Sequence, residues 1–224
     1  MLEVGGGFDY TAFIAIWWPL LAAVIGGVIS GFIVYALVRH FQRPNLVVSI
    51  RKDQYDGKAQ AHYVHLSVQN RRTIWHRLLG GETAVNCRCV LSVEGIGSFI
   101  TKWASREPWG TKTVLDKEGN PKQVAVIDPE HLEQAKLEVI KPGEEPKVVD
   151  VAVRMRGDSS GYIHTPENFK HPTYRPPDKE IKAGIYRATA VFEYDGYSTG
   201  GFHFRIVNGA GDQPGLLSLE EDRR

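Results

Sequence analysis

Residues 10 to 38 form a run of 29 residues without a formal charge, bounded by Asp9 and Arg39. A helix rises about 1.5 Å per residue, so roughly 20 apolar residues cross a hydrocarbon core of about 30 Å. The stretch from Pro19 to Val38 supplies that length alone. The sequence therefore predicts a transmembrane helix over residues 10–38, preceded by a short tail over residues 1–9.

A signal peptide or a buried core helix fits the apolar run less well than a span does. A cleavable signal peptide has a basic start and an apolar stretch of about 7–15 residues, whereas this chain starts with Glu3 and Asp9. A buried core helix is usually shorter and apolar on one face, whereas here every face is apolar. Trp17, Trp18 and Tyr35 lie near the two ends of the run, where aromatic rings favour the membrane interface.

The charges that flank the span predict its orientation. The only charged side chains before it are the acidic Glu3 and Asp9, and a basic linker over residues 39–45 follows it. Four basic residues lie within or soon after that linker: Arg39, Arg43, Arg51 and Lys52. Because arginine and lysine near a span are retained on the cytoplasmic side, we expect a single-pass protein of the cell membrane, with the N-terminus outside and the soluble domain in the cytoplasm.

Small residues recur every four positions within the span. Ala23, Gly27 and Gly31 form one such row, beside a second row of Ala22, Gly26 and Ser30. Close backbone contact is one of the few forces that associates helices in a bilayer, and Gly-x-x-x-Gly is its simplest motif. The row predicts self-association or pairing with a partner span, although glycine and alanine are also common in spans generally.

The residues after the linker alternate between apolar and polar side chains, which is typical of half-buried strands. Leu46, Val48 and Ile50 form the first such series and Val64 begins the next. Helical periodicity is nearly absent beyond a short Asp-Pro-Glu start at Pro129. Many short strands with one apolar face are best buried as two packed antiparallel sheets. We therefore expect an all-β, immunoglobulin-like antiparallel β-sandwich over residues 46–208, preceded by the single transmembrane helix and followed by a flexible tail over residues 209–224.

Two strands carry specific expectations about which side chains face the core. In residues 84–93 the alternation predicts five inward-facing side chains: Val85, Cys87, Cys89, Leu91 and Val93. Both cysteines are then expected to be reduced and packed, since two residues apart on one strand they would form a strained disulfide. In residues 149–156 the same alternation predicts that Asp150 and Arg154 face solvent.

A set of residues in the soluble domain is typical of an immunoglobulin-like fold. It comprises Ala84-x-Asn86-Cys87 leading to Leu91, then Trp103, Gly184-Ile185-Tyr186 and Phe204-x-Ile206-x-Asn208. The pattern resembles that of uncharacterised prokaryotic proteins that tether an immunoglobulin-like domain, and is similar to adhesion-related bacterial immunoglobulin-like domains. The resemblance covers most of residues 44–208. It implies a fold and no active site, since these residues determine packing.

The segment over residues 157–184 is long, rich in proline and aromatic. Long loops without regular structure tend to be functional or disordered, and aromatic side chains favour binding. The segment predicts a recognition loop for a partner protein or peptide; the alternative is that its aromatic residues close one end of the sandwich. The residues expected to make the contact are Tyr162, His164, Phe169, His171 and Tyr174.

A second candidate surface lies in residues 70–82, which mix positive charge with apolar bulk. Anionic lipid would attract the arginines at roughly 1 kcal/mol each, with the apolar side chains at headgroup level. The alternatives are a solvated hairpin or a patch that faces a partner protein. The residues expected at the membrane surface are Arg71, Arg72, Trp75, Arg77 and Leu78.

Motifs for catalysis or metal binding are weak. Gly157 to Gly161 is similar to the nucleophile segment of chymotrypsin-like proteases, but Ser160 replaces the glycine that follows the serine. His62 and His65 are three apart on a predicted strand and so point to opposite faces. A blue-copper site with Met155 lacks the usual close spacing of its ligands. We therefore expect no cofactor and no metal.

The composition argues against nucleic-acid binding, because the net charge is only +1 and no basic stripe extends beyond residues 70–82. The sequence as a whole predicts a single-pass membrane-anchored β-sandwich protein that acts as a non-catalytic binding, scaffold or accessory-subunit module. Its expected partners are membrane lipid and a protein, with no small-molecule substrate identified. The alternative is a membrane-tethered enzyme or a metal-binding, cupredoxin-like domain whose site is assembled from distant residues.

Overall fold

A computed structural model describes residues 10–222 of the chain, which form three α-helices, fifteen strands and three short 3-10 turns. The predicted tail over residues 1–9 and the last two residues lie outside the described part. The described chain is mostly β, with several antiparallel sheets and one apolar N-terminal helix. The prediction of a β-rich domain preceded by one long apolar helix is confirmed.

Helix α1 covers Tyr10–Gln42, a length of 33 residues with Pro19 inside it. Its part from Trp17 to Gln42 is long and apolar enough to cross a membrane, and no residue of its most apolar stretch of 18 residues is buried by the rest of the structure. The helix continues four residues past Val38, so the predicted linker is helical over its first four positions. It ends just before Pro44, whose ring disfavours helical geometry in the preceding residue.

The first sheet has the strand order β1-β2-β9-β10-β11, and β5 also pairs with β9. Every pairing in it is antiparallel. Its strands are β1 (Leu46–Asp56), β2 (Ala61–Asn70), β5 (Lys102–Trp103), β9 (Lys147–Met155), β10 (Gly161–Ile163) and β11 (Glu180–Ile181).

The second sheet has the order β15-β14-β12-β3-β4, with β13 on β12 and β8 on β3. Its strands are β3 (Ala84–Val93), β4 (Gly97–Ile100), β8 (Glu138–Ile140), β12 (Gly184–Tyr194), β13 (Tyr197–Ser198), β14 (Phe202–Asn208) and β15 (Leu217–Glu221). A separate hairpin pairs β6 (Trp109–Leu115) with β7 (Pro121–Ile127). Helices α2 (Ile74–Leu79) and α3 (Pro129–Gln134) lie in the connections.

Both sheets contribute side chains to one hydrophobic core. Val64 and Leu66 of β2 belong to the same buried cluster as Leu91 of β3 and Phe192 of β12. At its centre lies Trp103, which is fully buried and donates from its indole nitrogen to the Cys87 carbonyl at 3.0 Å. The alternation read in β1 and β2 is confirmed, because its apolar positions lie in or against this core.

The predicted inward set of β3 is right from Cys87 onward and wrong at Val85. Cys87 and Cys89 are free and fully buried, and burial raises the pKa of each thiol to about 12. Val85 is 38% exposed, whereas Ala84 beside it is buried. Asn86 has a φ of 52°, a left-handed conformation that asparagine tolerates, and the β3–β8 register shifts there.

Strand β9 is buried on both faces, which overturns the expectation that Asp150 and Arg154 face solvent. They are 4% and 0% exposed. The strand pairs with β2, β5 and β10, and so lies in the middle of its sheet. Val149, Val151 and Ala152 face the shared core, and the register with β2 shifts between Ala152 and Asp150. Asp150 therefore lies on the opposite face, whereas Arg154 lies on the same face as Ala152, between the two sheets. A charged residue on such a strand must be paired, since an unpaired buried charge is costly.

The expectation of a flexible tail over residues 209–224 is wrong for most of its length. The Arg154 guanidinium donates to the side chain of Asn208 and to the carbonyls of Gly209 and Gly211. After this clamp, β15 pairs with β14 in antiparallel register. Leu217 is fully buried and belongs to the core cluster. The described β domain therefore extends to Glu221.

The two ends of the β domain differ in their distance from α1. Strand β1 begins four residues after α1 ends, and Leu46 at its start pairs with Asn70 at the end of β2. We call this the proximal end. The turn over residues 57–60, between β1 and β2, lies at the opposite, distal end. At about 3.3 Å per residue, Gln54 lies about 25 Å along β1 from the proximal end.

Candidate functional site

A cavity of about 490 Å³ opens on the face of the first sheet that lies away from the shared core. His65 of β2 and Asp150 of β9 line it. The residues on either side of each of them face the core, so their own side chains point to the opposite face of the sheet. Lys102 of β5 and His164, just after β10, complete the polar floor. We call this cavity the Asp150 pocket.

Asp150 is the centre of the polar floor. Its carboxylate lies 3.0 Å from His65 Nδ1, 3.2 Å from Lys102 Nζ and 3.9 Å from His164 Nε2. Burial alone would raise the pKa of Asp150, but the contacts with His65, His164 and Lys102 outweigh it and hold the pKa below its ordinary value. Asp150 is therefore a carboxylate at neutral pH.

The groups around Asp150 form one buried ion pair with two imidazoles beside it. The side chains of Lys102 and Asp150 are 7% and 6% exposed. Lys102 Nζ also donates to the Trp103 carbonyl at 3.2 Å, so the ammonium is held from two sides. Burial lowers the pKa of His164 to about 4, which keeps its imidazole neutral near pH 7.

Aromatic rings form the wall of the Asp150 pocket. Phe169 packs edge-to-face against Trp109 at 5.1 Å between centroids, against Tyr174 at 5.3 Å and against His164 at 5.5 Å. Tyr63 meets His164 edge-to-face at 5.5 Å. Tyr63, Trp109 and Phe169 line the cavity, and Tyr174 supports Phe169 through its edge-to-face contact.

Two further carboxylates line the pocket, Asp56 at the end of β1 and Glu107 just before β6. Asp56 Oδ1 accepts from the backbone N–H of Lys58 at 2.8 Å, which fixes its position in the distal turn. Glu107 is exposed. Within residues 10–222, neither carboxylate has an ion-pair partner.

The structure brings together three of the five residues predicted for the recognition loop. His164 and Phe169 line the Asp150 pocket, and Tyr174 packs against Phe169. Tyr162 lies half-buried on β10, and His171 instead contacts the Thr173 hydroxyl at 3.0 Å. Whether these residues bind a partner stays a prediction.

The segment that carries those residues is more regular than expected. It contains β10, β11 and the 3-10 turns Pro166–Lys170 and Pro177–Lys179. Buried Asn168 donates to the Ile163 carbonyl at 2.8 Å, and Lys179 Nζ donates to the Thr165 hydroxyl at 2.6 Å. These contacts fix the backbone beneath the aromatic wall.

Sequence reasoning did not identify Asp150, Lys102, His65, Tyr63 or Trp109 as site residues. One signal pointed to the first of them. Asp150 interrupts the run Val148-Val149-Asp150-Val151-Ala152, and a lone acidic residue inside such an apolar run marks a buried charge that needs a partner. The remaining four residues carry no comparable local signal.

The second candidate surface is α2, which lies against the end of α1. Phe41 and Trp75 stack at 4.7 Å between centroids, and Gln42 Nε2 donates to the Leu79 carbonyl at 2.5 Å. Arg39 pairs with Glu82. The buried His76 ring contacts the Arg43 carbonyl at 2.9 Å. These contacts hold α2 at the level where α1 enters the β domain.

The outer side of α2 is apolar and bounded by positive charge. Ile74 and Leu78 are 68% and 70% exposed, and Trp75 and Leu79 are also exposed. Of the predicted membrane-surface residues, Arg71, Arg72 and Arg77 are exposed as well. The alternative of a solvated hairpin is wrong, because the segment is a helix whose first turn is capped by the Thr73 hydroxyl, which accepts from the His76 N–H at 3.2 Å.

The predicted helix–helix face of α1 is uncovered in the single chain. Ala23, Gly27 and Gly31 are exposed, and no atom lies within 4 Å of the position a Cβ would take at either glycine. Its pairing with another helix stays a prediction.

The protease-like segment does not assemble a catalytic group. The Ser160 hydroxyl donates to Glu180 at 2.6 Å, and Asp158 pairs with Arg175 at 2.7 Å. Across residues 10–222, no group of three or more His, Cys, Asp or Glu side chains is arranged to hold a metal ion.

Comparison with known proteins finds no matching family model, no matching curated protein and no matching solved structure. The functional argument therefore depends on the geometry of the two surfaces.

Proposed function

We propose that the chain is a single-pass membrane-anchored protein whose immunoglobulin-like β-sandwich acts as a non-catalytic binding module. Helix α1 crosses the bilayer, α2 rests at the headgroup level, and the Asp150 pocket faces away from the membrane for recognition. The observation that carries the proposal is the attachment of α2 to the end of α1 through the Phe41–Trp75 stack and the Gln42–Leu79 hydrogen bond.

Support for the sandwich comes from the two antiparallel sheets and their common core. Trp103 lies at the centre of that core, with its ring 6.1 Å from that of Phe192 on the other sheet. A central tryptophan that packs between two sheets beside a core cysteine is typical of immunoglobulin-like domains.

Support for the membrane contact comes from the side chains that α2 exposes. Val38 is the last apolar residue of the uncharged run, and Phe41 follows it by about one helical turn, or roughly 5 Å. Trp75 stacks on Phe41, so α2 falls at the depth of the headgroups when α1 is inserted. Tryptophan favours that depth, and Ile74 and Leu78 beside it are exposed to whatever surrounds the domain.

Support for a cytoplasmic domain comes from the same region. Arg71, Arg72 and Arg77 add to the basic residues at the end of α1, and positive charge beside a span favours the cytoplasmic side. Anionic lipid of that leaflet attracts each arginine by about 1 kcal/mol. The α2 surface thereby fixes the tilt of the domain on the bilayer.

Support for binding over catalysis comes from the polar floor, whose charged groups pair with one another. Asp150 is paired with Lys102 and His65, and among the described residues no serine, threonine or cysteine lines the cavity. A membrane-tethered enzyme is the second candidate, because a concave pocket with convergent polar groups is also the usual form of an active site. The cupredoxin-like alternative has little support, since both thiols are buried with pKa values of about 12.

Depth measurement by spin labelling tests the proposal. The native cysteines are fully buried, so a nitroxide can be attached to Leu78→Cys in the full chain, reconstituted in anionic vesicles. The matched control is Ile185→Cys. Ile185 is 64% exposed against 70% for Leu78, and it is the second residue of β12, at the distal end.

The proposal predicts that the label at position 78 collides more with oxygen than with a water-soluble nickel chelate, as expected of the headgroup region. The label at position 185 should show the reverse. Equal, water-like accessibility at the two positions would refute the placement of α2 at the membrane.

A further inference from the structure

We propose that the Asp150 pocket binds a primary ammonium or guanidinium group, because the carboxylates of Asp56 and Glu107, which have no ion-pair partner in the described chain, and an aromatic wall converge on one cavity whose floor includes two buried histidines. The inference deepens the proposed function and rests on it, since it assigns a ligand class to the binding module. The ligand is either a small free amine or the lysine or arginine side chain of a partner protein.

The charges around the cavity favour a cation. Asp150 and Lys102 neutralise each other at 3.2 Å, and the imidazole of His164 is neutral. Asp56 and Glu107 remain as negative charges without ion-pair partners in the described chain. An ammonium or guanidinium forms charge-assisted hydrogen bonds with such carboxylates, and these are stronger than neutral ones.

The buried histidines add polar nitrogens to the floor of the cavity. His65 and His164 are each 5% exposed, and within residues 10–222 His65 Nε2 and His164 Nδ1 have no hydrogen-bond partner. The other nitrogen of each ring is the one that faces Asp150, at 3.0 Å and 3.9 Å. A bare lone pair there would repel the carboxylate, so the proton belongs on the nitrogen facing Asp150. In the neutral ring of His164, the unpartnered Nδ1 is then a buried acceptor, and such an acceptor favours a ligand that donates.

The aromatic wall favours the same ligand. A cation within about 6 Å of a ring centroid is attracted by the negative face of the ring, most strongly for tryptophan. Trp109 is 39% exposed at the opening, and Phe169 holds it by an edge-to-face contact. An anion would be repelled both by the negative faces of the rings and by the carboxylates.

The size and position of the cavity fit a side chain or small amine. A volume of about 490 Å³ lies within the usual range of about 300–1,000 Å³ for ligand sites. Its opening lies beside the distal turn, on the side of the domain away from α1. A soluble ligand therefore reaches it without competition from the bilayer.

Titration of the full chain in lipid nanodiscs tests the inference. The probes are n-butylammonium and n-butylguanidinium, with n-pentanol and acetate as neutral and anionic controls, and heat of binding is recorded at low and high salt. We expect both cations to bind, both controls to fail, and affinity to fall with salt because the attraction is partly electrostatic.

Three variants locate the binding. Glu107→Gln removes an exposed carboxylate at the opening, and Trp109→Leu removes the ring; each should weaken cation binding by about fivefold. The control is Glu145→Gln, an exposed acid outside the cavity, which should leave the affinity unchanged. Cation binding that is insensitive to Glu107→Gln and Trp109→Leu, equal binding of n-pentanol, binding of acetate, or no cation binding would each overturn the inference.

A second arm separates the two sources of the ligand. Gly-Lys-Gly and Gly-Arg-Gly peptides are compared with the butyl cations, and a norleucine peptide is the control. Tighter binding of the charged peptides supports a protein side chain as ligand, and binding no tighter than that of the butyl cations supports a free amine.

The same nanodisc samples carry the spin label at position 78. Loss of cation binding with the label still at headgroup depth overturns the ligand class alone. A water-exposed label overturns the proposed function itself.

Discussion

The buried ion pair between Asp150 and Lys102 offers the sharpest test of how the pocket is built. Asp150→Asn keeps the shape of the side chain and removes its charge. Lys102, whose side chain is 7% exposed, then has only neutral acceptors, such as the Trp103 carbonyl, and no counter-charge. Removing one member of a buried pair leaves an uncompensated charge and typically costs about 3–5 kcal/mol. We expect Asp150→Asn to lower the free energy of unfolding by about 3 kcal/mol or more.

The second variant also removes the uncompensated charge of Lys102. Replacing a whole buried pair by uncharged groups of similar volume is often neutral, so Asp150→Asn combined with Lys102→Met should recover most of the loss. The difference between the double variant and the sum of the single variants measures the coupling, which contacting residues show at about 0.5–3 kcal/mol.

Urea unfolding of the full chain in detergent micelles, followed by far-UV circular dichroism, measures these changes as shifts of the midpoint at constant slope. Glu145→Gln is the control, since an exposed substitution away from special features changes stability by less than about 0.5 kcal/mol. A loss below about 1 kcal/mol for Asp150→Asn, with no recovery in the double variant, would refute the account of the polar floor.

Three further predictions concern other parts of the molecule. The pKa of His164 is lowered from 6.5 to about 4 in the folded state. As the pH falls, the unfolded chain therefore binds the proton first, and the free energy of unfolding should fall between pH 6.5 and pH 4 by up to roughly 3 kcal/mol. Urea midpoints across this range should fall less in His164→Gln. Leu217→Ala, in the segment expected from the sequence to be a tail, should cost about 2–5 kcal/mol as a core truncation, and a loss under 0.5 kcal/mol in the same assay would contradict the burial of β15. Gly27→Ile should abolish crosslinking between spans in native membranes, and crosslinking that is unchanged, or absent already in the wild type, would exclude the small-residue face as the contact.

The parts of the fold that follow from local sequence were predictable. Charge-free length alone indicates α1, and a period of two indicates β1 and β2, because one face of each of these strands packs against the core. Which side chains of β3 face the core was predictable only from Cys87 onward. Asn86 has a left-handed backbone conformation that interrupts the alternation, and the pattern of side chains does not reveal it.

The parts that depend on tertiary position were not predictable. Asp150 and Arg154 were expected in solvent because simple alternation places them on one outward face. The register shift in β9 puts them on opposite faces, and both faces are buried. Strand β15 follows a glycine-rich stretch that is typical of a loose tail, yet Arg154 clamps that stretch by its carbonyls. Six residues are too few for a helical period, so α2 could be recognised only by its composition.

The candidate site illustrates the same limit. Tyr63, Lys102, Asp150 and His164 are brought together by the pairing of β9 with β2, β5 and β10. The pairings with β2 and β5 join residues that are far apart in the chain, and no spacing within the sequence encodes them. The aromatic composition of residues 157–184 was a correct guide to part of the pocket wall, and it carried no information about the polar floor beneath.

Membrane extraction of the full-length protein tests the central claim most directly. Membranes from cells that express the chain are washed with alkaline carbonate in the absence of detergent and then sedimented. We expect the protein to stay in the pellet and to be released only by detergent, since α1 offers about 20 apolar residues to the hydrocarbon core. Recovery of the full-length chain in the aqueous supernatant would contradict a β domain anchored by a membrane-spanning helix.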